Sequence, residues 1–99
     1  MKIEKVLSVF NVLSQESRLK IFRILVEHSS SGITPTEISK ILNDMPRNTL
    51  SFHLSLMAQA DLCKTLKKGK QIIYKPNCGT IKTTAQFLLK DCCEGSCEC

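Results

Sequence analysis

No run of this chain is long and apolar enough to span a bilayer as a helix. There is no Gly-rich phosphate loop, no pair of carboxylates set for acid–base work and no nucleophile–base pair. The two histidines, His28 and His53, are scattered and form no triad. An enzyme is therefore not expected. No internal repeat is present, and 99 residues cannot hold a dinucleotide-binding unit plus a substrate domain. Acidic residues are also few. Nine Asp+Glu stand against 14 Lys+Arg, a formal net charge of +5. That excess favours a polyanionic partner, most often nucleic acid. The opening segment, MKIEKVLSVFNVL, has Glu4 and Asn11 within its apolar run and no small-residue cleavage site after it. It reads as an amphipathic helix rather than a leader. The expected setting is cytoplasmic, with no membrane partner.

What is present has the period of helices. Ile3, Val6, Leu7, Phe10 and Leu13 recur on one face. A second helix follows in LSQESRLKIFRILVEH, with Ser14 or Gln15 as its cap and Leu19, Phe22, Ile24, Leu25 and Val26 apolar. The turn SSSGI, 29–33, ends it. In TPTEISKILN, Thr34 is the expected N-cap, Pro35 suits the first helical position and Glu37 completes a capping box. Ile38, Ile41 and Leu42 form its expected buried stripe. The connector NDMP leads into RNTLSFHLSLMAQADL, where Leu50, Leu54 and Met57 share a face with Ala58 close beside it. Two short helices so joined make a helix-turn-helix. LCKTLKKGKQIIYKPN then reads as a β-hairpin around Lys67, Lys68, Gly69 and Lys70. A last helix is expected over 79–90, with Ile81, Ala85, Leu88 and Leu89 to one side. The order predicts a mainly α fold with a β-hairpin, a winged helix-turn-helix. Residues 1–90 form the domain and 91–99 a cysteine-rich tail.

In such a fold the second helix of the pair enters the major groove and its first turns reach base edges. Those turns hold Arg47, Asn48, Thr49 and Ser51, with Phe52 next. Arginine can read guanine in bidentate fashion and asparagine can read adenine. Thr49 and Ser51 suit phosphates or bases. His53, mid-helix, is expected to be a partly buried packing residue. Lys67, Lys68 and Lys70 at the hairpin tip would contact phosphate or the minor groove, adding affinity and salt dependence. A homodimer joined through the first and last helices would set two recognition helices about 34 Å apart on a palindromic operator.

LSQESRLKIFRIL, TPTEISKIL, NTLSFHLSLMAQADL and KKGKQIIYK together resemble the ArsR/SmtB family of metal-responsive repressors, over roughly residues 5–90. The resemblance implies a dimeric winged helix that binds operator DNA when metal-free and leaves it when metal binds. It implies repression of resistance or efflux genes. It also implies that Arg47, Asn48 and Ser51 face the groove. The chain departs from two familiar sensing sites. Where the best-known arsenite sensors carry Cys-x-Cys it has Thr34 and Thr36. Where the zinc sensors carry Asp, His and Glu on the last helix, TIKTTAQFLLK has none.

Four of the six cysteines lie in the final DCCEGSCEC. In a reducing cytoplasm, clustered thiols are more often metal ligands or redox sensors than staples. Soft thiolates select arsenic(III), antimony(III), cadmium, copper(I) or zinc. Three sulfurs suit arsenic(III), and four would suit tetrahedral zinc or cadmium. The chain resembles the family members with cysteines after the last helix. That resemblance implies a triad of Cys92, Cys93 and one of the two later cysteines, with Cys97 favoured as the third ligand and Cys99 as the alternative. The implied inducer is arsenic(III) or antimony(III), and no organic cofactor is expected. A thiol redox sensor and a cadmium- or zinc-responsive repressor remain alternatives on the same fold. Cys63 is expected in the core, and Cys78 has no assigned role.

Overall fold

In the computed structural model, residues 1–95 are described. They form α1 (Ile3–Leu13), α2 (Glu16–Glu27), α3 (Pro35–Ile41), α4 (Arg47–Gln59), β1 (Cys63–Lys68), β2 (Gln71–Pro76), α5 (Cys78–Leu89) and a 3₁₀ turn, Cys92–Gly95. Among these residues no helix is long and apolar enough to cross a membrane.

Local chemistry sets most of the boundaries. Of the two candidate caps for α2, Gln15 is the one used, its side-chain oxygen accepting from the Arg18 amide at 3.0 Å. At α3 the capping box forms in full. The Glu37 amide donates to Thr34 Oγ1 at 3.2 Å and the Thr34 amide donates to Glu37 Oε1 at 3.1 Å. Asn43 and Asp44, at φ 57° and 60°, take the left-handed conformation that these side chains tolerate, which folds the connector tightly. Asp61, also left-handed at φ 57°, stops α4. Its amide donates to the Ala58 carbonyl at 3.0 Å, and the amide of Leu62 donates to Met57 at 2.9 Å. That is the Schellman pattern, with buried Leu62 as its apolar anchor.

The two strands pair antiparallel, from Cys63↔Pro76 to Lys68↔Gln71. The two-residue loop starts with Gly69 at φ 62°, where a type II′ hairpin requires glycine. The turn before α3 joins the hairpin through an isolated bridge between Ile33 and Tyr74. Gly32 permits this approach. A Cβ there would come within 2.1 Å of Ile73 Cγ2, at a φ of 78°.

The core gathers Ile21, Leu25, Ile38, Leu50, Leu54 and Met57 around Leu62. Cys63 packs into it as expected, and burial pushes its thiol up to about 11. The outer helices behave differently. In α1 the buried residues are Val6, Val9 and Val12, whereas Ile3, Leu7 and Phe10 of the expected face are exposed. In α3 Ile38 is buried but Ile41 is exposed. In α5 Thr80 and Thr84 turn inward, and Ala85, Leu88 and Leu89 turn outward. The inward hydroxyls are satisfied: Thr80 donates to the Asp61 carbonyl at 2.6 Å and Thr84 to the Thr80 carbonyl at 2.7 Å. The radius of gyration is 15.1 Å, above the roughly 13 Å of a compact 100-residue domain. The chain is drawn out because these helices cover little of it.

Candidate nucleic-acid interface

Helix α4 is amphipathic. Leu50, His53, Leu54 and Met57 face the core. A period of 3.6 then puts Asn48, Phe52 and Ser55 on the opposite line, and all three are exposed. Arg47 and Ser51 lie on the flank toward the hairpin. With Asn48, Pro35, Ile72 and Tyr74 they line an open cleft of about 410 Å³ between α3, α4 and β2. Thr49 is exposed on the other flank. So Arg47, Asn48 and Ser51 come together, and Thr49 stands apart from them. Sequence reasoning missed Ser55 and gave Phe52 little weight, although counting around the helix from its apolar face points to both.

The two helices of the pair are tied at this surface. Arg47 Nη1 donates to Thr36 Oγ1 at 2.8 Å. A guanidinium has five N–H donors in a rigid fork, so this contact orients Arg47 and leaves donors for a nucleic-acid edge. Thr34 thus serves in the capping box and Thr36 under Arg47.

Beneath the helix, Arg18 Nε donates to the Val12 carbonyl at 2.8 Å, and its Nη1 lies 3.3 Å from His53 Nδ1. Arginine can only donate, so this Nδ1 accepts and the imidazole is neutral. Burial, then the Arg18 charge, holds His53 below its ordinary value of 6.5. The expected packing role is what the structure shows, with 8% of the residue exposed.

Lys67, Lys68 and Lys70 are all exposed on the hairpin. Lys70 also borders a depression with Arg47, Thr36 and Gln71, which joins the wing to the start of α4. Arg47 at the start of α4 and Lys70 of the hairpin thus border one depression.

After α5, the 3₁₀ turn carries Cys92 and Cys93, both half-buried. The Cys92 thiol donates to the Cys93 sulfur at 3.9 Å. Cys93 is disulfide-bonded in this structure. Cys97 and Cys99 lie outside the described residues. Among the described residues no three His, Cys, Asp or Glu side chains converge as a metal site. Cys78 is exposed at the start of α5.

The sequence family described as a helix-turn-helix domain matches residues 13–65, just over half of the chain. The chain belongs to that family. Its winged-helix fold is the one found in ArsR-family structures. It matches an ArsR-like transcriptional regulator from Rhodococcus sp. RHA1 with a TM-score of 0.78 at 24% identity, covering 87% of this chain and 77% of that one. It also matches a homodimeric winged helix-turn-helix domain from Mycobacterium bovis, described as a possible ArsR-family regulator. There the TM-score is 0.70 at 18% identity, over 95% and 86% of the two chains. In sequence it is 35% identical over 65 residues to an uncharacterized HTH-type transcriptional regulator of Methanocaldococcus jannaschii. That stretch is 66% of this chain and 16% of the much longer archaeal relative. The descriptions are of regulators rather than enzymes, in agreement with the expectation from sequence.

Proposed function

We propose that this chain is a transcriptional repressor that binds operator DNA as a homodimer and leaves it when arsenite or antimonite binds C-terminal thiolates. The observation that carries the DNA reading is the outward face of α4. It presents Asn48 between Arg47 and Ser51 and is flanked by a lysine-tipped wing. The homodimer is supported by the exposed apolar residues Ile3, Leu7 and Phe10 of α1 and Phe87, Leu88 and Leu89 of α5. A second copy would cover them, and the winged helix-turn-helix domain from Mycobacterium bovis with this fold is described as homodimeric.

The sensing reading is supported by the donor set. Cys92 and Cys93 place two sulfurs 3.9 Å apart directly after α5, and reduction of the disulfide at Cys93 would free both as donors. Cys97, or alternatively Cys99, would be the third ligand, and thiolates are the donors that arsenic(III) and antimony(III) prefer. The route to DNA runs through α5, whose first turn is bonded to the end of α4 by Thr80 and Asp61. A tenfold loss of operator affinity needs about 1.4 kcal/mol of difference in ligand affinity between the two states. A second reading, thiol oxidation as the signal, is favoured by the disulfide at Cys93.

The test is to titrate the reduced protein on its own upstream DNA with arsenite, antimonite, cadmium, zinc and peroxide. Release by arsenite or antimonite, lost in Cys92→Ser and Cys93→Ser variants that still bind DNA, is the expected result. Release by peroxide alone selects the redox reading, and release by cadmium or zinc alone selects the divalent-metal one.

A further inference from the structure

Phe52 is 60% exposed on the recognition helix. It lies on the line opposite Leu50, Leu54 and Met57, so the core of its own chain has no use for it. Around it on the outward surface stand the polar Asn48, Ser51 and Ser55, with half-buried Leu56 one turn on. A large apolar group on the outermost line of that helix matters because of what a major groove offers. Base edges there present donors, acceptors and one apolar group, the C5-methyl of thymine. The ring also has a set orientation, tilted at 58° to the His53 ring with centroids 5.9 Å apart.

We infer that Phe52 reads a thymine methyl in the operator and is a specificity-determining residue of this interface. The inference rests on the DNA-binding reading of α4. Asn48 stands one turn earlier on the same line, about 6 Å along the helix axis. Its amide suits adenine N6 and N7. Phe52 and Asn48 thus reach into one span of a few base pairs, and each half-site should contain A·T pairs at neighbouring positions. The discrimination comes from burying one methyl group, worth about fourfold in affinity. Uracil differs from thymine only by that methyl, so it isolates the contact.

The experiment selects duplexes from a random pool with the full-length reduced protein at fixed salt. Each thymine of the preferred site is then replaced by deoxyuridine in turn, and affinity is read by fluorescence anisotropy. Wild type should lose about fourfold at one thymine per half-site. Phe52→Ala should bind the thymine and uracil forms of that position equally, and its fold can be checked by circular dichroism since the side chain is exposed. Thymine dependence that persists unchanged in Phe52→Ala, or a selected site with no methyl-sensitive thymine, overturns the role of Phe52 and leaves the DNA-binding reading intact. A wild-type protein that enriches no sequence overturns both.

Discussion

The Thr80 hydroxyl donates to the Asp61 carbonyl at 2.6 Å, and this bond fastens the start of α5 to the residue that ends the recognition helix. The carboxylate of Asp61 also pairs with Lys5 of α1. One left-handed residue therefore joins α1, α4 and α5. These contacts place the outer helices against the end of α4.

Thr80→Val keeps the shape of the side chain and leaves the carbonyl of Asp61 without its donor. The expected cost is about 1 kcal/mol, a fall in Tm of about 4–8 °C for a domain of this size. Operator binding should persist at low temperature, while release by the inducer weakens. Thermal unfolding and an inducer titration measure the two separately. Unchanged release in a destabilised Thr80→Val would show that the signal does not pass through this bond.

His53 gives the fold an acid limit. Its folded value lies below 6.5 because burial and Arg18 disfavour the charged ring. The unfolded chain then binds the extra proton more readily, so stability is complete above 6.5 and falls as pH drops toward the folded value. His53→Gln should flatten that acid slope in denaturant titrations between pH 7 and 5. If the slope is the same in both proteins, His53 is not its source.

The capping box of α3 has the corresponding carboxylate effect. The hydrogen bonds from the Thr34 backbone and then its side chain hold Glu37 below the usual carboxylate range. A depressed carboxylate stabilises above its unfolded pKa, and that stabilisation is lost as pH falls through the folded value. Thr34→Ala should cost about 1 kcal/mol at neutral pH from the lost cap. The gap from wild type should narrow in acid, as Glu37 protonates and the box opens in both proteins.

The wing and the helix should separate in their salt behaviour. Lys67→Ala, Lys68→Ala and Lys70→Ala should each weaken binding evenly across sequences and lower the salt slope by about 1. Asn48→Ala should instead relax preference at one base pair, by about 1–3 kcal/mol. Affinities on matched and mismatched duplexes at several salt concentrations distinguish the two patterns.

Much of this molecule could be read locally. The capping box at Thr34 and Glu37, the stop signals around α4 and the glycine of the hairpin each depend on neighbours a few residues away. Short-range geometry decides them wherever the chain goes. The spacing of Leu50, Leu54 and Met57 likewise defines the inner face of α4, and with it the outer one. The paired helices and basic hairpin followed from such signals alone.

The outer helices were decided by tertiary structure. Both α1 and α5 carry apolar residues on more than one face, and periodicity says only that an apolar face must be covered, not by what. In α5 the small Thr80 and Thr84 turn inward because their hydroxyls find backbone carbonyls, at Asp61 and one turn back. The larger Leu88 and Leu89 are thereby left outside. In α1 the valines fill the space beside α2, and Ile3, Leu7 and Phe10 are displaced to the surface. The sequence by itself determined the elements and the polar surface of α4. The tertiary structure alone decided which apolar faces close the core and which stay exposed, because that choice depends on the volume left between helices already packed.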